Sequence, residues 1–143
     1  MKILVDADGC PVVGIAVDVA KKYNIECVLV CDTSHVFSYE NVETITVSKG
    51  ADSADFKLVN LIKTGDIVIT QDYGLAAMAL SKKAVCISQN GMVYDEKNID
   101  DLLSIRHISK KVRNSGGRIK GPSKRTKEQD EAFKNTITDK VKK

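Results

Sequence analysis

The sequence predicts an α/β fold with a mainly parallel sheet, and three observations carry that prediction. Short apolar runs, of the kind found in strands buried on both faces, recur as far as Ser88. Segments with helical periodicity separate most of them, and these intervals are long enough for the crossovers that parallel strands require. A length of 143 residues suits one domain with one core.

The elements follow in order. Residues 2–7 (KILVDA) are the first apolar run. Pro11 suits a first helical turn, where its missing N–H would have no partner anyway. Val12, Val13, Ala16, Val19, Ala20 and Tyr23 repeat at helical spacing, so a helix is expected over 11–23. Residues 25–31 (IECVLVC) and 42–47 (VETITV) are the second and third strands. Asp52 opens a helix with apolar Phe56, Val59, Leu61 and Ile62, ended by Gly65 as a left-handed cap. Residues 66–70 (DIVIT) are the fourth strand, 73–83 an alanine-rich helix, and 84–88 (AVCIS) the fifth strand. Asn90-Gly91 is a two-residue hairpin signal, with Met92, Val93 and Tyr94 as the returning segment. A further helix is expected from Asn98 to Lys111.

Beyond Lys111 the composition changes. Asn114-Ser115-Gly116-Gly117-Arg118-Ile119-Lys120-Gly121-Pro122 is glycine-rich and basic. Thr126 with Gln129 three residues on is a capping-box pattern, opening a lysine-rich helix over 127–141. Its apolar residues are few (Ala132, Phe133, Ile137, Val141), which predicts weak docking. The expected organisation is an α/β domain over 1–111, followed by a basic segment and C-terminal helix over 112–143.

Composition excludes several classes. The chain is 43% hydrophobic, 29% charged and 5% aromatic, which is globular and neither disordered nor fibrous. No apolar run approaches the roughly 18 residues that cross a bilayer. An acid as early as Asp6 argues against a secretory signal. Cys10, Cys27, Cys31 and Cys86 lie among apolar neighbours without paired CxxC spacing, so core thiols and a cytoplasmic location are expected. Cys10 stands at an expected helix N-terminus, but no histidine or second cysteine is near it in the chain. His35 and His107 join no nucleophile motif, and no GxGxxG or Walker loop marks a nucleotide cofactor.

The formal net charge of +3 hides an asymmetry. Residues 106–143 hold 13 Lys and Arg against four Asp and Glu, a net of +9. Residues 1–105 hold nine against 15, a net of −6. An acidic body with a basic tail points towards a polyanion, although basic tails are also common solvated faces.

The acids fall at telling places. In a doubly wound sheet, ligands bind beyond the carboxyl ends of the strands, where the strand order reverses. Asp6 and Asp8 end the first strand, and Asp72 follows the fourth. If those strands are neighbours, the three acids converge. Packed carboxylates repel one another unless a cation compensates them. Mg²⁺ or Mn²⁺ needs one or two carboxylates, with water and substrate phosphate completing its shell. Each acid also has a structural reading. Asp8 could cap the first helix and Asp72 the Tyr73 helix, and Asp52 with Asp55 resembles a capping pair. Asp6 is harder to dismiss, because an acid in an apolar strand is costly unless paired or metal-bound.

Three motifs taken together are familiar. Val5-Asp6-Ala7-Asp8-Gly9-Cys10-Pro11-Val12, Ile69-Thr70-Gln71-Asp72-Tyr73-Gly74-Leu75-Ala76 and Gly116-Gly117-Arg118-Ile119-Lys120-Gly121-Pro122 resemble the bacterial YaiI/YqxD family. That family looks like a relative of the PIN and NYN nuclease domains. The resemblance implies a three-layer, doubly wound sheet of five strands in the order 3-2-1-4-5, with switch-point acids binding Mg²⁺ or Mn²⁺. On that pattern Asp6 matches the strand-one acid, Asp72 the strand-four acid and Asp55 the mid-chain helix acid; the expected metal ligands are Asp6, Asp8 and Asp72, with Asp55 joining them in catalysis. One departure is plain: Ser88-Gln89-Asn90 follows the fifth strand, where PIN nucleases often carry another acid, and Asp95 is several residues away.

The basic segment fits a nucleic-acid partner, with RNA the expected one. Arg113, Arg118, Lys120, Lys124 and Arg125 could neutralise backbone phosphates. Aromatic residues are sparse there, so base stacking and sequence selectivity are not expected. The expected activity is divalent-metal-dependent hydrolysis of phosphodiester bonds. The rivals are a nucleic-acid-binding protein without hydrolysis and a small-molecule phosphohydrolase.

Overall fold

The structure is a computed structural model, described for residues 1–32, 39, 42–47, 53–104 and 124–142. Five strands, β1 (Lys2–Asp6), β2 (Glu26–Asp32), β3 (Glu43–Val47), β4 (Ile67–Ile69) and β5 (Val85–Ile87), pair in parallel in the order β3-β2-β1-β4-β5. The mainly parallel sheet and the strand order implied by the resemblance are both observed. The described helices are α1 (Val13–Lys22), α2 (Ser53–Leu61), α3 (Tyr73–Ser81), α4 (helical residues 96–104) and α5 (Lys127–Val141).

Alternation along the strands builds two cores, one on each face. Ile3 and Val5 of β1, Leu29 of β2 and Ile67 and Ile69 of β4 face α1 and α5. Leu4, Val28, Val30 and Val68 face the opposite layer, with Leu58 of α2, Leu75 and Ala79 of α3 and Ile99 of α4. These are the three layers of a doubly wound fold. Among the described residues no helix is long and apolar enough to cross a membrane.

The C-terminal helix differs from expectation. Phe133 and Ile137 are fully buried in the α1-side core, so α5 docks firmly despite its charged composition. The reason lies in the sheet. Ile67, Ile69 and Ile87 belong to the core on this face, opposite the one that α2 and α3 cover, and α5 supplies the cover. Two apolar residues four apart make one helical stripe, and that stripe suffices. Thr126 caps α5 with Gln129 in the reciprocal capping box that the sequence predicts.

Other helix starts are set by side chains that periodicity does not weigh. The helix α4 begins before Asn98, because Asp95 Oδ1 accepts the N–H of Asn98 while Asn98 Oδ1 accepts the N–H of Asp95. The hairpin is present in a minimal form: Gly91 has φ +86°, and Val93 makes one antiparallel bridge to Ile87.

The amino-terminal end of the sheet is pinned by Asp66, 3% exposed. Its carboxylate accepts from the backbone N–H of Lys2 at 3.1 Å and of Lys63 at 2.9 Å, and it pairs with the Lys2 ammonium at 2.5 Å. Burial acts to raise the Asp66 pKa, but these donors and the Lys2 charge outweigh it and hold it below the ordinary carboxylate value.

Candidate functional site

The switch point of this sheet lies between β1 and β4. The chain leaves β1 towards β2 and β3 on one side, then returns to β4 and β5 on the other. A ligand cleft is expected beyond the carboxyl ends of these two strands. A cleft of about 60 Å³ opens there, walled by Asp6, Asp8 and Cys10 from the β1 side, Thr70 and Gln71 after β4, and Gln89 after β5.

Asp6 is the last residue of β1, and Thr70 follows β4 directly across from it. The Thr70 hydroxyl donates to Asp6 Oδ2 at 2.9 Å and its oxygen accepts the N–H of Asp72 at 3.0 Å. Thr70 itself is fixed from both sides, its N–H donating to the Ile87 carbonyl and its carbonyl accepting the Tyr94 hydroxyl at 3.2 Å. Tyr94 is buried and meets Tyr73 edge-on, with ring centroids 6.2 Å apart.

Asp8 does not cap α1. The N-cap of that helix is Val12, with no side-chain capping bond. A tight turn closed by the Cys10 N–H on the Ala7 carbonyl, with Gly9 at φ +67°, places Asp8 instead beside the end of β2. There both of its carboxylate oxygens accept the backbone N–H of Asp32, at 3.0 and 3.2 Å. Asp72 does cap α3, accepting the N–H of Leu75 at 3.1 Å, as its structural reading predicts.

The charges of Asp8 and Asp72 both act on Asp6. Burial raises the Asp6 pKa above the ordinary carboxylate value, the Thr70 hydrogen bond opposes that rise, and the charges of Asp8 and Asp72 add to it. Cys10, on the same wall, has its thiol pushed up by burial and by Asp6, and lowered by Arg125.

The remaining residues of the expected site are placed as follows. Asp55 lies in α2. Asp52, His35, His107, Arg113, Arg118 and Lys120 lie outside the described residues. Lys124 is exposed just before α5. Arg125 donates from Nε to Asp130 at 2.6 Å, from Nη1 to Asn90 Oδ1 at 2.8 Å and from Nη2 to the Gln89 carbonyl at 2.6 Å. Sequence reasoning passed over Thr70, Gln71, Gln89 and Tyr94. Thr70 and Gln71 had a signal, since they sit two residues and one residue before Asp72 inside the motif; Gln89 and Tyr94 carry none of their own.

A model of the family described as "Uncharacterized BCR, YaiI/YqxD family" matches residues 4–143. The chain belongs to the YaiI/YqxD family. Relatives bear this out along the length of the chain. A UPF0178 protein of Exiguobacterium sibiricum is 49% identical over 138 residues, 96% of this chain and 94% of its own. Those of Ruminiclostridium cellulolyticum and Alkaliphilus oremlandii are 50% and 51% identical, covering 96% of this chain and 90% and 88% of theirs. No solved structure matches.

Whether this YaiI/YqxD site suits a divalent cation can be judged from its donors. Among the described residues, no three His, Cys, Asp or Glu side chains are grouped to hold a metal ion. A closed carboxylate cage is therefore not what these residues build. Asp6 lines the cleft, while Asp72, whose N–H bonds Thr70 and whose carboxylate caps α3, acts on Asp6 by its charge; each carboxylate oxygen can accept a hydrogen bond and still donate a lone pair. A hard cation keeping several waters needs one or two such carboxylates, and its charge would favour the ionised Asp6 that burial, and to a lesser extent Asp8 and Asp72, disfavour.

Proposed function

We propose that this YaiI/YqxD protein is a divalent-metal-dependent phosphodiesterase of PIN-like architecture, acting on RNA. The observation that supports this most is the placing of Asp6 and Asp8 in the cleft at the switch point between β1 and β4, with Asp72 near enough for its charge to act on Asp6. Asp6 and Asp72 would hold Mg²⁺ or Mn²⁺, with Asp8 and Asp55 orienting the attacking water. When bound, such a cation lowers the pKa of a coordinated water and neutralises charge on phosphate oxygens. Thr70 fixes the orientation of the Asp6 carboxylate, and the turn at Gly9 sets Asp8 beside it.

The cleft of about 60 Å³ has room for an ion with a few waters. A phosphate of an extended strand could lie across such an opening. The net +9 of residues 106–143, Arg113, Arg118, Lys120 and Lys124 among them, would draw that strand in.

Hydrolysis of generic single-stranded RNA with Mn²⁺ tests the reading, comparing wild type with Asp6→Asn and Asp72→Asn. Asparagine caps a helix as well as aspartate, so Asp72→Asn keeps α3 intact. Turnover in wild type and its loss in both variants is expected; equal rates in all three would remove the assignment. The neutral Gln89 at the cleft, where a fourth acid would strengthen the site, favours one rival: a nucleic-acid-binding protein without hydrolysis. Salt-dependent RNA binding with no metal-dependent turnover would establish it.

A further inference from the structure

Arg125 stands directly before the N-cap of α5, yet its side chain reaches to the loop after β5. Its guanidinium is anchored on Asp130 of α5 and grips that loop by the Asn90 side chain and the Gln89 carbonyl. The loop is held in other ways too. Ser88 Oγ accepts the N–H groups of Asn90 and Met92, and the Thr136 hydroxyl of α5 donates to the Gly91 carbonyl at 2.7 Å. Gly91 sits so close to α5 that a Cβ on it would lie 2.5 Å from the Ala132 carbonyl oxygen. The 88–91 loop thus occupies a socket on α5, and the residue it presents to the acidic cleft is Gln89.

We infer that Arg125 is a positioning residue, holding the Gln89 wall of the acidic cleft against α5. The clamp stands on its own geometry; that the wall meets a scissile phosphate rests on the function proposed above. A guanidinium engaged through all three of its nitrogens acts on the cleft through the loop, not as a mobile phosphate ligand. A planar fork is needed to span three acceptors on two elements, so lysine cannot replace it. The clamp also ties the C-terminal helix to the cleft.

Cys10 provides the test, because it lines the same cleft as Gln89 while Cys27, Cys31 and Cys86 are buried. Alkylation of the folded full chain by iodoacetamide, resolved residue by residue by mass spectrometry, reads how open that wall is. Rates taken over a pH series separate a changed thiol pKa from a changed exposure. Arg125→Lys keeps a cation at position 125 and Asp130→Ala keeps Arg125 itself. Each is expected to speed alkylation of Cys10 about tenfold, the change in a local opening equilibrium when a charge-assisted hydrogen bond is lost. Modification of Cys27 and Cys86 in the same samples reports global unfolding and is subtracted. Cys10 rates within about twofold of wild type in both variants would overturn the clamp. Adding Mn²⁺ to wild type separates the two claims. Protection of Cys10 by Mn²⁺ supports a cation in the cleft, whereas its absence, with the variants still fast, refutes the metal reading and leaves the clamp standing.

Discussion

The hydroxyl of Thr70 donates to Asp6 Oδ2 at 2.9 Å, across the line where the sheet reverses its strand order. Because the same oxygen accepts the Asp72 N–H, one buried threonine links the last residue of β1 to the cap of α3. The Asp6 carboxylate and the backbone of Asp72 are therefore held by a neutral residue, itself braced by Tyr94.

Removing that hydroxyl should be costly. Thr70→Val keeps the shape but leaves the Asp72 N–H without its acceptor and Asp6 without its donor, a loss of about 2 kcal/mol. The Asp6 pKa should rise further, since the Thr70 bond is what opposes burial there. Thr70→Ser retains both bonds and should cost only about 1 kcal/mol for the missing methyl. Urea unfolding of the three proteins measures the order; a valine variant as stable as the serine one would contradict it.

Asp6 should be a destabilising residue at neutral pH. Its folded pKa lies above the ordinary carboxylate value of 3.8, so its contribution is most favourable below 3.8 and is lost as pH rises through the folded value. Asp6→Asn keeps an acceptor for Thr70 and removes the charge. The variant should gain on wild type as pH rises from 3.5 to 7, seen as a widening difference in urea midpoint. A constant difference across that range would show that Asp6 carries no electrostatic strain.

Asp66 has the opposite sign. Its folded pKa is lowered, so its contribution is present above the unfolded value of 3.8 and is lost as pH falls through the lower folded one. Lys2→Met breaks this buried pair and should cost about 3 kcal/mol at pH 7. The gap between wild type and variant should narrow steadily in acid below pH 4. Chemical denaturation at a series of pH values checks both the size and the direction.

The C-terminal helix should behave as part of the core. Phe133→Ala empties a fully buried site and should cost about 4 kcal/mol. Gly91→Ala forces a methyl against the Ala132 carbonyl at a positive φ, which should cost about 2 kcal/mol or more. Melting curves of the full chain read both, and a Phe133→Ala protein as stable as wild type would show α5 to be dispensable.

The parallel strands and their helices were legible because buried strands read as unbroken apolar runs and helices as a 3.6-residue rhythm. Asp6 was legible for the same reason, as an acid interrupting such a run. What the sequence did not show depends on contacts distant in the chain. The weight of Phe133 and Ile137 comes from Ile67, Ile69 and Ile87, which need cover on that face of the sheet. The partner of Asp8 is a backbone N–H 24 residues away, invisible to any capping rule. Arg125 reads as one more cation in a basic stretch until Asn90 and Gln89 are brought to it.

A titration of the full chain with Mn²⁺, read by the electron paramagnetic resonance of the free ion, tests the cation-binding cleft most directly. Wild type should bind Mn²⁺ saturably, and Asp6→Asn and Asp72→Asn should each bind at least about tenfold more weakly, the equivalent of about 1.4 kcal/mol per lost carboxylate. No saturable binding by wild type, or equal binding by all three proteins, would contradict the account.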